Sequence, residues 1–315
     1  LPGDLTVYEE VYALVPNNYY DVAGAKTVRY WPRRDRRPTS FDEFFSELDR
    51  YFTALATYLK DYTPIVGVTG GGDSRALLAA FRRHGLQVRG VTWLSGPIRE
   101  RELPSVMEVA ARASKEHTYL PFRRPTDRAP EVAAAAMRNV GGFRGEGGPS
   151  LTVRMHQRYA GPGAVFIRGA AAEVIRGFYQ NGRRRPMGTL AASELLRLYG
   201  APFTRVRPEH ADDADARRIA LAAFEGFMVR ANYDERLVNS GFDLNDVFYW
   251  EHRMGMWSAA QHNELDPATP SLTGYNSRRV YEAAFGMNPP ERLTKELLRE
   301  VIRRYDPPMA EIPLL

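Results

Sequence analysis

From Phe41 onward, the apolar positions Phe41, Phe44, Phe45, Leu48, Phe52, Leu55 and Leu59 recur at helical spacing. That period predicts an amphipathic helix to about Lys60 with one face buried. Ser40, with Glu43 three residues later, reads as a capping box at its start. After Pro64 the period changes. Ile65-Val66-Gly67-Val68 is a short apolar run fit for a buried strand, followed by a Gly-rich turn and a helix from Ser74 to His84 closed by Gly85. Leu86 to Trp93 predicts a second strand, Glu102 to Lys115 a second helix and His117 to Phe122 a third strand. Ala164-Val165-Phe166-Ile167 predicts another, ahead of a helix from about Ala171. Such alternation predicts an α/β fold with a parallel sheet and right-handed crossovers.

Before this core, Thr6-Val7-Tyr8, Val11-Tyr12-Ala13-Leu14-Val15 and Thr27-Val28-Arg29-Tyr30-Trp31 suggest two or three small strands around the turn Pro16-Asn17-Asn18. Beyond about Ala191 the pattern is mainly helical, at Ala211 to Asn232, Asn245 to Glu264, Ser277 to Phe285 and Thr294 to Tyr305. The expected organisation is an N-terminal β region over 1–38, an α/β core over 39–190 and a helical part over 191–315.

The 315 residues include no cysteine, which excludes disulfides, thiolate metal sites, thiol nucleophiles and sulfur relays. No run approaches the 18 or so apolar residues of a membrane span, and the Leu-Pro-Gly-Asp start is no secretory signal. The expectation is a cytoplasmic protein without membrane partners, its chain beginning inside a longer or trimmed polypeptide. The net charge of +5 suits an anionic ligand or nucleic acid. The basic clusters Arg33-Arg34-Asp35-Arg36-Arg37 and Arg183-Arg184-Arg185 lie among Pro and Gly, as solvated loops do. That placement argues against a groove-reading helix and a nucleic-acid partner.

The densest chemistry is Val68-Thr69-Gly70-Gly71-Gly72-Asp73-Ser74, between a predicted strand and helix. Glycines let backbone N–H groups close on oxygen atoms, the helix start adds partial positive charge, and Thr69 and Ser74 add hydroxyls. Asp73 alone repels phosphate; a carboxylate there suits Mg2+ bridging to phosphate oxygens. No Gly-Lys-Ser/Thr follows, so this is not a Walker A loop. A plain strand-to-helix turn is the alternative. The segment resembles the Ser/Thr-Gly-Gly-x-Asp-Ser loop of PP-loop ATP pyrophosphatases.

Further segments resemble the synthetase domain of asparagine synthetases and their relatives. Thr6 to Tyr20 is similar to the aromatic-rich run that enters that domain, Arg29-Tyr30-Trp31-Pro32 to the Arg-Tyr-Trp after it. Arg168-Gly169-Ala170-Ala171-Ala172-Glu173-Val174-Ile175-Arg176-Gly177-Phe178-Tyr179 resembles the family's Gly-Glu-Gly-x-Asp-Glu-x-x-x-Gly-Tyr. The resemblance implies a PP-loop, adenine nucleotide α-hydrolase-like core, ATP and Mg2+ as cofactors, and acyl-adenylate chemistry ending in an amide. It implies nucleotide contacts at Val68 to Ser74, Thr92, Trp93 and Gly169. For the metal it implies Asp73 and Glu173, since Ala172 stands where the family carries a metal-binding Asp; Glu173 equally suits a helix cap. Trp93 equally suits the core.

On the helix Asp246 to Trp257, Tyr249 and Arg253 are four apart and Trp250 and Trp257 seven apart, each pair sharing an α-helical face. The resemblance makes Glu251, Tyr249 and Arg253 catalytic candidates, a Tyr–Glu pair deprotonating an incoming amine. A buried helix with a structural ion pair fits as well. The family's catalytic Lys has no clear counterpart; Lys295 reads as a surface residue. Without Cys the chain has no glutaminase of its own, so nitrogen is expected from ammonia, a substrate amine, or a separate amidotransferase or partner protein. The other substrate is a small-molecule or peptide carboxylate, and a homodimer stays open. His156, His252 and His262 have no zinc spacing, and no Gly-x-Ser-x-Gly elbow occurs. Two other functions remain: a PP-loop tRNA-modifying ligase, and a degenerate synthetase homologue that binds nucleotide without turnover.

Overall fold

The alternating segments at the start form less strand than their pattern suggests. β1 (Asn18–Asp21) and β2 (Lys26–Arg29) pair antiparallel, while residues 5–15 contribute the isolated bridge between Leu5 and Tyr12. Val7, Tyr8, Val11 and Leu14 are exposed, and alternation without a buried face gives a strand little to hold it. The computed structural model describes residues 1–94, 96, 98–121, 129–140, 149–180, 191–206, 214–294 and 296–315. By their contacts they form two units, Leu1–Arg37 with Gly177–Ser258, and Pro38–Arg176 with Ala259–Leu315. The break between Arg37 and Pro38 lies one residue from the boundary expected at 38, while residues 177–258 group with the N-terminal segment and 259–315 with the core.

In the first unit the hairpin accompanies the helices Ala192–Val206, Ala214–Arg230, Glu235–Asn239 and Leu244–Phe248. Trp31 is buried against Phe242 and Trp250, ring centroids 4.7 and 5.1 Å away.

In the second unit α1 (Phe41–Tyr58) opens with the expected box: Ser40 Oγ accepts the Glu43 amide and the Glu43 carboxylate accepts the Ser40 amide. There follow β3 (Thr63–Gly67), α2 (Gly72–Arg83), β4 (Val88–Leu94), α3 (Leu103–Ala113), β5 (Ser114–Pro121), β6 (Ala164–Arg168) and β7 (Ser271–Thr273). The sheet runs β5-β4-β3-β6-β7 with every pairing parallel, so this is an α/β unit as the alternation predicts. Ile65, Val91, Leu120, Met155 and Phe166 lie in one buried cluster. β7 went unpredicted because three residues between Pro270 and Gly274 carry no readable period.

The helix expected from Asn245 to Glu264 is α-helical at Leu244–Phe248 and Ala259–Leu265 but π-helical over Tyr249–Ser258. Among the described residues no helix is long and apolar enough to cross a membrane. Arg33 to Arg37 lie outside regular structure; Arg183 to Arg185 lie outside the described residues.

Candidate functional site

β3 lies between β4 and β6, so the winding of the chain reverses there, and the crevice past the strand C-termini at such a reversal is where open α/β sheets bind ligands. The loop after β3 is anchored by β4. The Val68 amide donates to the Val91 carbonyl at 2.8 Å, and Thr92 Oγ1 donates to the Val68 carbonyl at 2.8 Å while pairing with His117 Nε2 at 3.0 Å. Two of the three hydrogen-bonding positions of the Thr92 hydroxyl are thus used in shaping the loop. Thr69 and Ser74 hydroxyls sit 2.9 Å apart, and Ser74 Oγ also accepts the Thr69 amide at 3.2 Å. Gly71 is the N-cap of α2 and supplies no side-chain cap, which leaves the first-turn amides to other acceptors. The Gly70 amide already has one, Glu102 Oε2 at 2.9 Å.

Beneath the loop lies Arg75, fully buried. It donates to the carbonyls of Gly70 at 3.1 Å, Pro313 at 2.9 Å and Ile312. Burial lowers its pKa to about 10. Three carbonyls replace the water that a buried guanidinium forfeits.

The segment after β6 reaches the same loop. Gly169 approaches so closely that a Cβ there would lie 2.8 Å from the Ser74 nitrogen and 3.1 Å from the Asp73 carbonyl carbon; only glycine fits without movement. A short helix, Ala172–Ile175, then carries Glu173 and ends at Arg176. Arg176 Nε and Nη2 donate to Asp73 Oδ1 and Oδ2 at 3.0 and 3.1 Å, a two-point fork. Tyr275, just past β7, donates its hydroxyl to the Asp73 carbonyl at 2.6 Å. Ala172 is buried. Glu173 Oε2 is sealed from solvent and has no hydrogen-bond partner among the described residues. Its carboxyl is pushed up to about 7, by burial first and then by the Asp73 charge.

Asp73 and Glu173, so arranged, do not fit a divalent ion. Mg2+ takes hard, charged oxygen ligands in an octahedron. Both Asp73 oxygens already accept from Arg176, and Glu173 is drawn toward its protonated form. Among the described residues no group of three or more acidic or histidine side chains gathers to hold a metal.

Trp93 is partly buried against the cluster of Ile65, Val91 and Phe166. In the first unit, Glu251 is fully buried. Arg29 Nη1 and Nη2 donate to its Oε1 and Oε2 at 2.6 and 2.8 Å, and Asn17 Nδ2 adds 2.9 Å to Oε1. These contacts hold Glu251 in a buried ion pair. Tyr249 is buried among rings, 5.0 Å from both Phe178 and Tyr179, and Arg253 lies 3.7 Å over the Trp257 ring. Because i→i+5 bonding widens the turn, the π-helix breaks the spacing of seven that grouped Trp250 and Trp257, while Tyr249 and Arg253, four apart, stay near one face. Lys295 lies outside the described residues. Sequence reasoning missed Arg176, Glu102 and Tyr275; Arg176 alone had a signal, three residues past Glu173.

No family profile matches the chain, and no curated protein does. Among solved structures, the chain is similar to an NMN synthetase from Francisella tularensis, 16% identical with a TM-score of 0.31, over 72% of this chain and 96% of that one. It is also similar to an NH3-dependent NAD synthetase from Campylobacter jejuni subsp. jejuni NCTC 11168 in complex with the nitrate ion, 13% identical with a TM-score of 0.29, over 62% of this chain and 94% of that one.

Proposed function

We propose that the protein is an ATP-dependent, AMP-forming ligase that activates a carboxylate and passes the acyl group to an amine or ammonia. One observation carries this reading: the glycine loop after β3 and the Gly169 segment after β6 meet at the reversal point of a parallel sheet. Thr69, Ser74 and the amides at the start of α2 are the groups that would grip a polyphosphate. In the reaction a carboxylate oxygen attacks the α-phosphorus, the bond to the bridging oxygen breaks and pyrophosphate leaves. The amine nitrogen then attacks the acyl carbon, loses a proton and expels AMP. Donors aimed at the leaving pyrophosphate lower the barrier by stabilising its charge.

Incubation with ATP and panels of carboxylates and amines, followed by nucleotide chromatography and pyrophosphate assay, tests this. AMP and pyrophosphate in equal amounts are expected. ADP as product means a different class of enzyme. A second reading, a homologue that binds nucleotide without turnover, is favoured by the buried methyl of Ala172 and the occupied Asp73; nucleotide binding without AMP under any pairing would select it.

A further inference from the structure

We propose that Arg176 is the resident positive charge of this loop, holding Asp73 in place of a protein-bound divalent ion and giving the loop a polyphosphate site that needs no metal on the protein. The proposal rests on the nucleotide-binding reading above, although one arm of its test does not.

The geometry carries it. Arg176 engages both Asp73 oxygens at 3.0 and 3.1 Å, the planar match between guanidinium and carboxylate that a lysine cannot reproduce. Each side chain is 24% exposed, so the pair sits at the start of α2 without being closed off from solvent. Glu173 Oε2 behind it is sealed. Position 172 supplies no carboxylate, being a buried alanine. An ion seated on Asp73 must first break two charge-assisted hydrogen bonds and then find its remaining ligands elsewhere. An arginine fixed by a carboxylate is also suited to phosphate oxygens, because its charge is permanent and its orientation is set in advance. Tyr275 on the Asp73 carbonyl and Gly169 against Ser74 hold the other side of that pair in place.

The first arm uses Mn2+ alone, without nucleotide, followed by its electron paramagnetic resonance signal. The wild-type chain is expected to leave the free-ion signal unchanged through millimolar protein. Arg176→Gln, which keeps a polar end on a shorter side chain and loses the charge, is expected to gain an Mn2+ site that the further change Asp73→Asn removes. The second arm measures ATP affinity by calorimetry in EDTA and in excess Mg2+. Wild type is expected to differ less than about tenfold between the two, whereas Arg176→Gln loses about tenfold or more in EDTA, as fits the loss of a charge-assisted contact. Arg176→Lys, the milder change, is expected to fall between them. Wild-type Mn2+ binding that Asp73→Asn abolishes overturns the proposal, and so does wild-type ATP binding that collapses in EDTA. Failure to bind ATP in either buffer overturns the nucleotide reading, while the Mn2+ arm still decides what neutralises Asp73.

Discussion

Gly169 and Ser74 are 95 positions apart in sequence, yet a single methyl group on Gly169 would stand 2.8 Å from the Ser74 nitrogen. This contact joins the segment after β6 to the segment after β3. Gly169→Ala is expected to destabilise the protein by about 1–3 kcal/mol through overpacking against backbone, with a larger proportional loss in nucleotide affinity. Urea melts and calorimetry on the same preparation check it. An alanine variant with unchanged affinity would mean that the two segments do not form one site.

Glu102 occupies the Gly70 amide that a phosphate oxygen would need, at 2.9 Å. Its charge also repels phosphate. Glu102→Gln is therefore expected to tighten ATP binding several-fold, and to tighten pyrophosphate binding likewise. Weaker binding in the variant would make Glu102 a contributor to the ligand site.

Arg29 and Glu251 form a buried pair whose members lie 222 positions apart. Removing one partner of such a pair costs about 3–5 kcal/mol, because the other charge is left buried. Arg29→Met is expected to lower the unfolding midpoint steeply. If Glu251→Gln instead melts like the wild type while turnover disappears, Glu251 belongs to the chemistry after all.

His252 is buried among the rings of Tyr199, Phe224 and Phe248, and burial lowers its pKa to about 3 from the ordinary 6.5. The folded form therefore binds fewer protons than the unfolded chain between those values. Stability is full above about pH 6.5 and falls as the pH drops toward 3. His262, lowered to about 4 by burial, acts in the same direction. Urea midpoints measured from pH 8 to pH 4 should decline below pH 6.5, and His252→Phe should flatten the decline. A profile flat through pH 5 in the wild type would contradict the neutral buried imidazole.

The sequence made legible what is local. The Ser40–Glu43 box, the run Ile65 to Val68 and the glycine turn into α2 are written in neighbouring residues, so period and capping chemistry reveal them. The pairs that decide the site's charge are not local. Arg176 meets Asp73 across 103 positions, and Arg75 reaches the Pro313 carbonyl across 238. Nothing near Arg75 announces its partner, and the one signal near Arg176 is Glu173, three residues before it. The face expected to carry Trp250 and Trp257 together was not legible for a different reason. Spacing of seven presumes 3.6 residues per turn, and the π-helical stretch Tyr249–Ser258 does not keep that period.

The measurement that bears most directly on the loop as a nucleotide site is hydrogen exchange of the intact chain with and without saturating ATP. It needs neither the carboxylate nor the amine. The account predicts slowed exchange in two places together, the peptide spanning Val68 to Arg75 and the peptide spanning Arg168 to Arg176, since the two segments meet through Gly169 and Asp73. ATP that protects neither peptide, or that protects other segments and leaves these two unchanged, contradicts it.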